Sequence, residues 1–213
     1  MKYTFQQDGS LPGSAVDLGI DVSKWNGTID WNAVRNSGVT FAIIRCGYRG
    51  SSTGALIEDP TFRTNISNAK AAGIKVGVYF FTQAINEVEA IEEASMVLGL
   101  ISGQGLSYPV FLDVESASGG RANGLDSGTR TAVIRAFCQT IRNSGVSAGV
   151  YANKTWLNEK MRASELSAYT IWLAQYAATP TYSGRYQMWQ YTSKGSVAGI
   201  KGNVDMDVSY LGY

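Results

Sequence analysis

Asp113 and Glu115 stand two residues apart at the end of the run Tyr108-Pro109-Val110-Phe111-Leu112-Asp113-Val114-Glu115. The run reads as a short buried strand, with Pro109 near its start and the Ser-Gly-rich stretch 116–120 after it. Alternate side chains of a strand share a face and advance about 6.6–7 Å per pair, so the two carboxyls would meet one ligand together. Burying two acids beside Phe111, Leu112 and Val114 is costly and should push at least one pKa upward. An acid still protonated near neutrality can donate a proton. A strand end whose acids merely pair with arginine or cap a helix is the plainer alternative, and the spacing alone does not separate the two.

Composition narrows the chemistry. The chain has no histidine, which removes Ser-His-Asp and Cys-His nucleophile systems and His-ligated zinc. Proton transfer falls to carboxylates. Cys46 and Cys138 are too few for a disulfide framework and too far apart for a CxxC site, so both are expected as buried thiols. With 18 Lys plus Arg, 17 Asp plus Glu and no run of like charge, nucleic acid is not expected as a partner. No stretch approaches the roughly 20 apolar residues of a membrane span. Residues 1–17 lack the apolar core of a signal peptide and carry Gln6, Gln7, Gly9, Pro12 and Gly13, so they read as a linker or processed segment ahead of a single domain over 18–213.

The elements that must position the acids alternate in type. Expected strands are Leu18 to Val22, Val39 to Cys46, Lys75 to Phe81, the acidic run itself and Val146 to Tyr151. Between them lie helices opened by Asp30, by Asp59-Pro60, by Asn86 with Glu89 as a capping box, and by Asp126 or Ser127. Gly38, Gly73 and Gly145 close three of them. After Tyr151 the rhythm changes: Thr170 to Ala174, Tyr186 to Tyr191 and Asn203 to Tyr210 look like strands, with little room for a helix between the last two.

This alternation implies a parallel α/β barrel with right-handed crossovers, its strands ending on one rim. Asp21, Arg45, Tyr79, Asp113, Glu115, Tyr151 and Asp205 fall at or near strand ends, where such barrels build active sites. Parity adds detail. If Asp113 and Glu115 face inward, so does Phe111, while Val110, Leu112 and Val114 face the helices; Gly77 with Tyr79 and Gly149 with Tyr151 also point inward. Acids on an aromatic rim fit glycoside hydrolysis. A magnesium or calcium site from Asp21, Asp113, Glu115 and Asp205 competes for the same residues, but the neighbouring rings favour sugar, and no metal or cofactor is expected.

Seven segments in order, Leu18 to Ser23, Gly77 to Phe81, Phe111 to Glu115, Gly149 to Tyr151, Ile171 to Tyr176, Met188 to Tyr191 and Val204 to Asp207, resemble glycoside hydrolase family 25, the Chalaropsis-type lysozymes. The resemblance implies a flattened, irregular TIM-like barrel of five β/α units and three further strands. It implies cleavage of the β-1,4 bond between N-acetylmuramic acid and N-acetylglucosamine in peptidoglycan by a secreted or wall-associated enzyme, here expected as a monomer.

By the same resemblance Glu115 matches the general acid, and Asp113 the acid that orients the substrate's acetamido group for attack with retention. An inverting or direct-nucleophile role remains the other reading. Asp21 and Asp205 match the remaining acids, and Tyr79, Tyr151, Trp172 and Gln190 are the groove candidates. Many members carry His after the residue matched by Tyr79; here Phe80 stands there, a departure that bears on substrate binding. A chitinase-like N-acetylglucosaminidase and a catalytically silent wall-binding module are the alternative functions.

Overall fold

The computed structural model describes residue 15 and residues 17–213. The expected N-terminal linker therefore lies outside the described residues except at its end, where Asp17 already opens the first strand. The elements run β1 (Asp17–Val22), α1 (Trp31–Asn36), β2 (Phe41–Arg49), β3 (Leu56–Glu58), α2 (Phe62–Ala71), β4 (Lys75–Phe81), α3 (Glu87–Ile101), β5 (Val110–Asp113), α4 (Ser127–Asn143), β6 (Ala148–Asn153), α5 (Lys154–Glu159), β7 (Thr170–Ala174), β8 (Met188–Gly195) and β9 (Val204–Ser209).

Eight of the strands close into a barrel through the parallel pairing of β1 with β2, and β3 is an antiparallel flap on the edge of β2. Five β/α units followed by β7, β8 and β9 are the architecture expected from the sequence. One expectation about direction does not hold. β9 runs antiparallel to both β8 and β1, so its N-terminal residues, not its C-terminal ones, reach the rim where the parallel strands end. The short β8–β9 connection leaves no length for a crossover helix, and a hairpin is the remaining way to pair.

Strand parity divides the apolar residues into two cores. Val110, Leu112 and Val114 join Ile44, Val78, Phe80, Val150 and Val208 in the layer between sheet and helices. Phe41, Ile43, Phe111, Tyr151, Trp172 and Met188 fill the barrel interior. The narrow barrel accepts such large side chains because glycines face them: a Cβ on Gly149 would lie 2.6 Å from the Phe111 ring, and one on Gly19 2.3 Å from that of Phe41. Cys46 and Cys138 are free buried thiols in the outer core.

The helix starts follow their caps at α1, α3 and α4, where Asp30, Asn86 and Asp126 accept from the backbone N–H three residues on. Each such cap contributes about 1 kcal/mol. α2 departs from expectation. It begins at Phe62 behind Thr61 rather than at Asp59-Pro60, because both oxygens of Asp59 are otherwise engaged. Oδ1 accepts from the backbone N–H and hydroxyl of Thr61, and Oδ2 accepts from Arg45 Nε at 2.8 Å. The capping box at α3 is half formed, since Glu89 accepts from Ile85 N–H and from both guanidinium nitrogens of Arg121.

Candidate active site

All eight candidate residues, Asp21, Asp113, Glu115, Asp205, Tyr79, Tyr151, Trp172 and Gln190, line one small cavity of about 70 Å³ at the rim. The elements that deliver them are distant in sequence. β5 ends on Asp113 and the chain continues to Glu115, so both carboxyls enter from one side. β1 contributes Asp21, whose Cα partner across the antiparallel pairing is Asp205 of β9. A groove of about 730 Å³ shares Tyr79, Asp113, Glu115 and Asp205 with the small cavity and runs outward past Trp25, Tyr48 and Arg45.

Asp207, a fifth carboxyl, lies beneath the other acids with no exposure at all. Its Oδ1 accepts from Trp172 Nε1 at 2.7 Å, and its buried Oδ2 meets no donor among the described residues. Its neighbour is the carboxyl of Asp21. Burial, then the charges of Asp207 and Asp205, push Asp21 well above the ordinary carboxylate range. Burial likewise pushes Asp207 up to about 8. A proton shared between the two acids gives the orphaned oxygen a donor, so the pair carries at most part of its formal charge at neutral pH. The i to i+2 rule that singles out Asp113 and Glu115 also singles out Asp205 and Asp207, and that was the available signal for this residue.

Gln190 orders the cluster from the side. Its Nε2 donates to Asp21 Oδ2 at 2.6 Å, and its Oε1 accepts from the hydroxyls of Tyr151 and Tyr176 at 2.8 and 2.9 Å. Trp172 is 1% exposed, with its ring against Phe111 and Tyr151 at centroid distances of 5.1 and 4.6 Å. Trp172, Tyr151 and Gln190 were expected as groove walls. They form a floor that holds carboxyls in place, because inward parity on a narrow barrel carries their side chains under the rim. The open aromatic faces belong instead to Trp25, 79% exposed, and Tyr176, 57% exposed.

The carboxyls that line both the cavity and the groove differ in their surroundings. Asp113 is buried, and its Oδ1 lacks a donor among the described residues. Burial and then the Glu115 charge raise its pKa, while Arg45 opposes them. Glu115 is more open and is raised by burial and then by Asp205. Burial pushes Asp205 up to about 6. A cluster of five buried or half-buried carboxyls, most of them raised by a neighbour's charge, suits proton donation at neutral pH, and the free oxygen of Asp113 can accept one N–H from a ligand. Phe80 has no part in this. It points outward into the helix-side core, fully buried, so the difference from a histidine at that position does not touch the groove.

The model of the family described as "Glycosyl hydrolases family 25" matches residues 20–200. The chain belongs to glycosyl hydrolase family 25. Family 25 relatives include the autolytic lysozyme of Clostridium acetobutylicum, 30% identical over 190 residues, with 89% of this chain and 54% of that one aligned. Lysozyme M1 of Streptomyces globisporus is 29% identical over 202 residues, with 88% of this chain and 65% of that one aligned. Among solved structures, the modular autolysin LytC of Streptococcus pneumoniae in complex with a synthetic peptidoglycan ligand superposes with a TM-score of 0.81 at 30% identity, covering 98% of this chain and 50% of that one. This family 25 chain thus spans between half and two thirds of the length of these relatives.

Proposed function

We propose that this family 25 domain hydrolyses peptidoglycan, cutting the β-1,4 bond between N-acetylmuramic acid and N-acetylglucosamine in walls outside the membrane. The observation that carries the reading is the pairing of Glu115, a half-open carboxyl with a raised pKa, with Asp113, a buried carboxyl that keeps one oxygen free, at the floor of a groove with open aromatic faces. Relatives named as lysozymes and an autolysin complexed with a peptidoglycan ligand support the same substrate.

In the proposed mechanism Glu115 protonates the glycosidic oxygen as the bond to C1 breaks. Asp113 accepts the N–H of the substrate's 2-acetamido group, and that group's carbonyl oxygen closes on C1 to form an oxazolinium-type intermediate. Glu115, now ionised, takes a proton from water as the water attacks C1 and the C1–O bond of the oxazolinium ring breaks, which restores the 2-acetamido group and retains the configuration. Two acids entering from one strand end do not flank a sugar as an acid and a protein nucleophile would, which favours the substrate's own group as nucleophile. The Asp205 charge helps Glu115 hold its proton until transfer, while the proton held by the Asp21–Asp207 pair limits the charge buried beneath them.

The test is a digest of purified peptidoglycan, reduced with borohydride and analysed by mass spectrometry. Muramitol ends that disappear in Glu115→Gln, and fall at least about 100-fold in Asp113→Asn, are expected, the scale of a lost general acid or an oriented nucleophile. Glucosaminitol ends would transfer the bond specificity to the chitinase-like reading. Wall binding without new ends would leave a binding module.

A further inference from the structure

The groove is electrically lopsided. Its floor carries Asp113, Glu115 and Asp205, whereas its outer end carries two cations, Lys24 and Arg45, set about the ring of Tyr48. The Lys24 ammonium lies 4.9 Å from the centroid of the exposed Trp25 ring and 5.3 Å from that of Tyr48, and its side chain forms no ion pair or hydrogen bond among the described residues. The Arg45 guanidinium lies 5.1 Å from the centroid of the same Tyr48 ring.

Arg45 explains itself only in part. Its Nε donates to Asp59 Oδ2 at 2.8 Å, which ties β2 to the start of α2. Its side chain is 11% exposed, yet Nη2 has no acceptor among the described residues. Asp59 cannot supply one: Oδ1 is taken by Thr61, and Oδ2 already accepts from the Lys24 backbone N–H as well as from Arg45. A buried guanidinium donor left without an acceptor forfeits a charge-assisted hydrogen bond, a cost a structural strut has no reason to carry. An ammonium without an ion pair among the described residues and an orphaned guanidinium N–H, both on the lining of one groove, are donors suited to an anionic oxygen.

We infer that the Lys24–Arg45 end of the groove binds a carboxylate borne by the glycan strand. The inference rests on the peptidoglycan reading above and adds to it the part of the substrate that is recognised away from the scissile bond. Muramic acid offers that chemistry in two forms. Its 3-O-lactyl group is a free carboxylate where the stem peptide has been removed, and where the stem is present the peptide carries carboxylates of its own. Neutral N-acetylglucosamine oligomers offer none, so the cationic end would select muramic-acid strands over them. The rings of Trp25 and Tyr48 hold the ammonium in place while leaving its remaining N–H groups for the incoming oxygens.

Three preparations separate the sources: strands with intact stems, strands stripped by an amidase so that the lactyl carboxylate is free, and stripped strands whose lactyl groups are capped as methylamides. Initial rates are compared for the protein, Lys24→Met and Lys24→Arg. Lys24→Met should raise KM about tenfold with kcat little changed on the carboxylate-bearing substrate, the scale of one charge-assisted hydrogen bond, leave the capped strands unaffected, and be largely rescued in Lys24→Arg. A KM effect on stripped strands assigns the lactyl carboxylate; an effect on intact strands alone assigns the stem. Equal KM values for protein and Lys24→Met on all three overturn the inference and leave the muramidase reading standing. If none of the three is hydrolysed, the muramidase reading falls. Calorimetric affinities of the same strands for the protein and Lys24→Met then decide the inference, a tenfold loss upholding it and equal affinities overturning it.

Discussion

Asp207→Asn replaces the buried member of the acid pair with a group of the same size that cannot ionise. The asparagine Oδ1 can still accept from Trp172 Nε1, and its amide can donate to Asp21, so the floor of the site keeps its contacts. In the native protein burial holds Asp207 near 8 against an ordinary value of 3.8. Between those values the folded state keeps a proton that the unfolded chain has lost, so stability falls as pH rises through that window, by about 1.4 kcal/mol per unit and proton. Allowing for half-titration at the upper end, the native protein should lose roughly 2 kcal/mol relative to the variant between pH 6 and pH 8. For a domain of this size that is a relative shift of about 4–8 °C in Tm. The assay is thermal unfolding of both proteins by circular dichroism at pH 6 and pH 8. Asp205, Glu115 and Asp113 are present in both and largely cancel, and Asp21, raised first by burial, keeps its own proton in the variant. A Tm difference that is the same at both pH values would show that Asp207 holds no proton of its own over this range, and the value near 8 would be wrong.

Two further perturbations test the framework behind the site. Gly149→Ala would place a Cβ 2.5 Å from Thr170 O and 2.6 Å from the Phe111 ring that carries Trp172, and should cost about 2 kcal/mol or more in urea unfolding together with a drop in kcat. Gly99→Ala, on α3 with open space around its Cβ, should instead stabilise by about 0.5–1 kcal/mol; equal effects at the two positions would contradict the packing argument. Arg49→Met strands Glu93, which is buried, held up to about 7 by its desolvation and paired to Arg49 Nε at 2.8 Å. The loss should be about 3 kcal/mol at pH 8 and distinctly smaller at pH 5, where Glu93 takes up a proton; a pH-independent loss would deny Glu93 its charge in the native state.

Much of this was legible because it depends on short-range periodicity. The i to i+2 spacing of Asp113 and Glu115, the inward parity of Tyr79 and Tyr151, and the caps at Asp30, Asn86 and Asp126 are consequences of strand and helix geometry that act over a few residues. The alternation of five strands with four helices and the change to three strands after Tyr151 followed from the same local patterns, whereas the fifth β/α unit came from the resemblance to family 25. Even the missed α2 start has a local appearance: Asp59-Pro60 is a good opening, and only the approach of Arg45 from β2 diverts the aspartate.

What the sequence by itself determined, then, is which residues could do acid chemistry and that a barrel rim would gather them. Tertiary structure decided their rank. The reversal of β9 sets Asp205 against Asp21 and slides Asp207 beneath them, and Gln190 reaches Asp21 across 169 residues of chain. The narrow interior sinks Trp172 into the floor, and the groove joins Lys24 to Arg45. Each of these rests on a contact between distant segments, and each changes a charge or an exposure. Desolvation and Coulomb interactions depend on distance in space, which local spacing cannot encode.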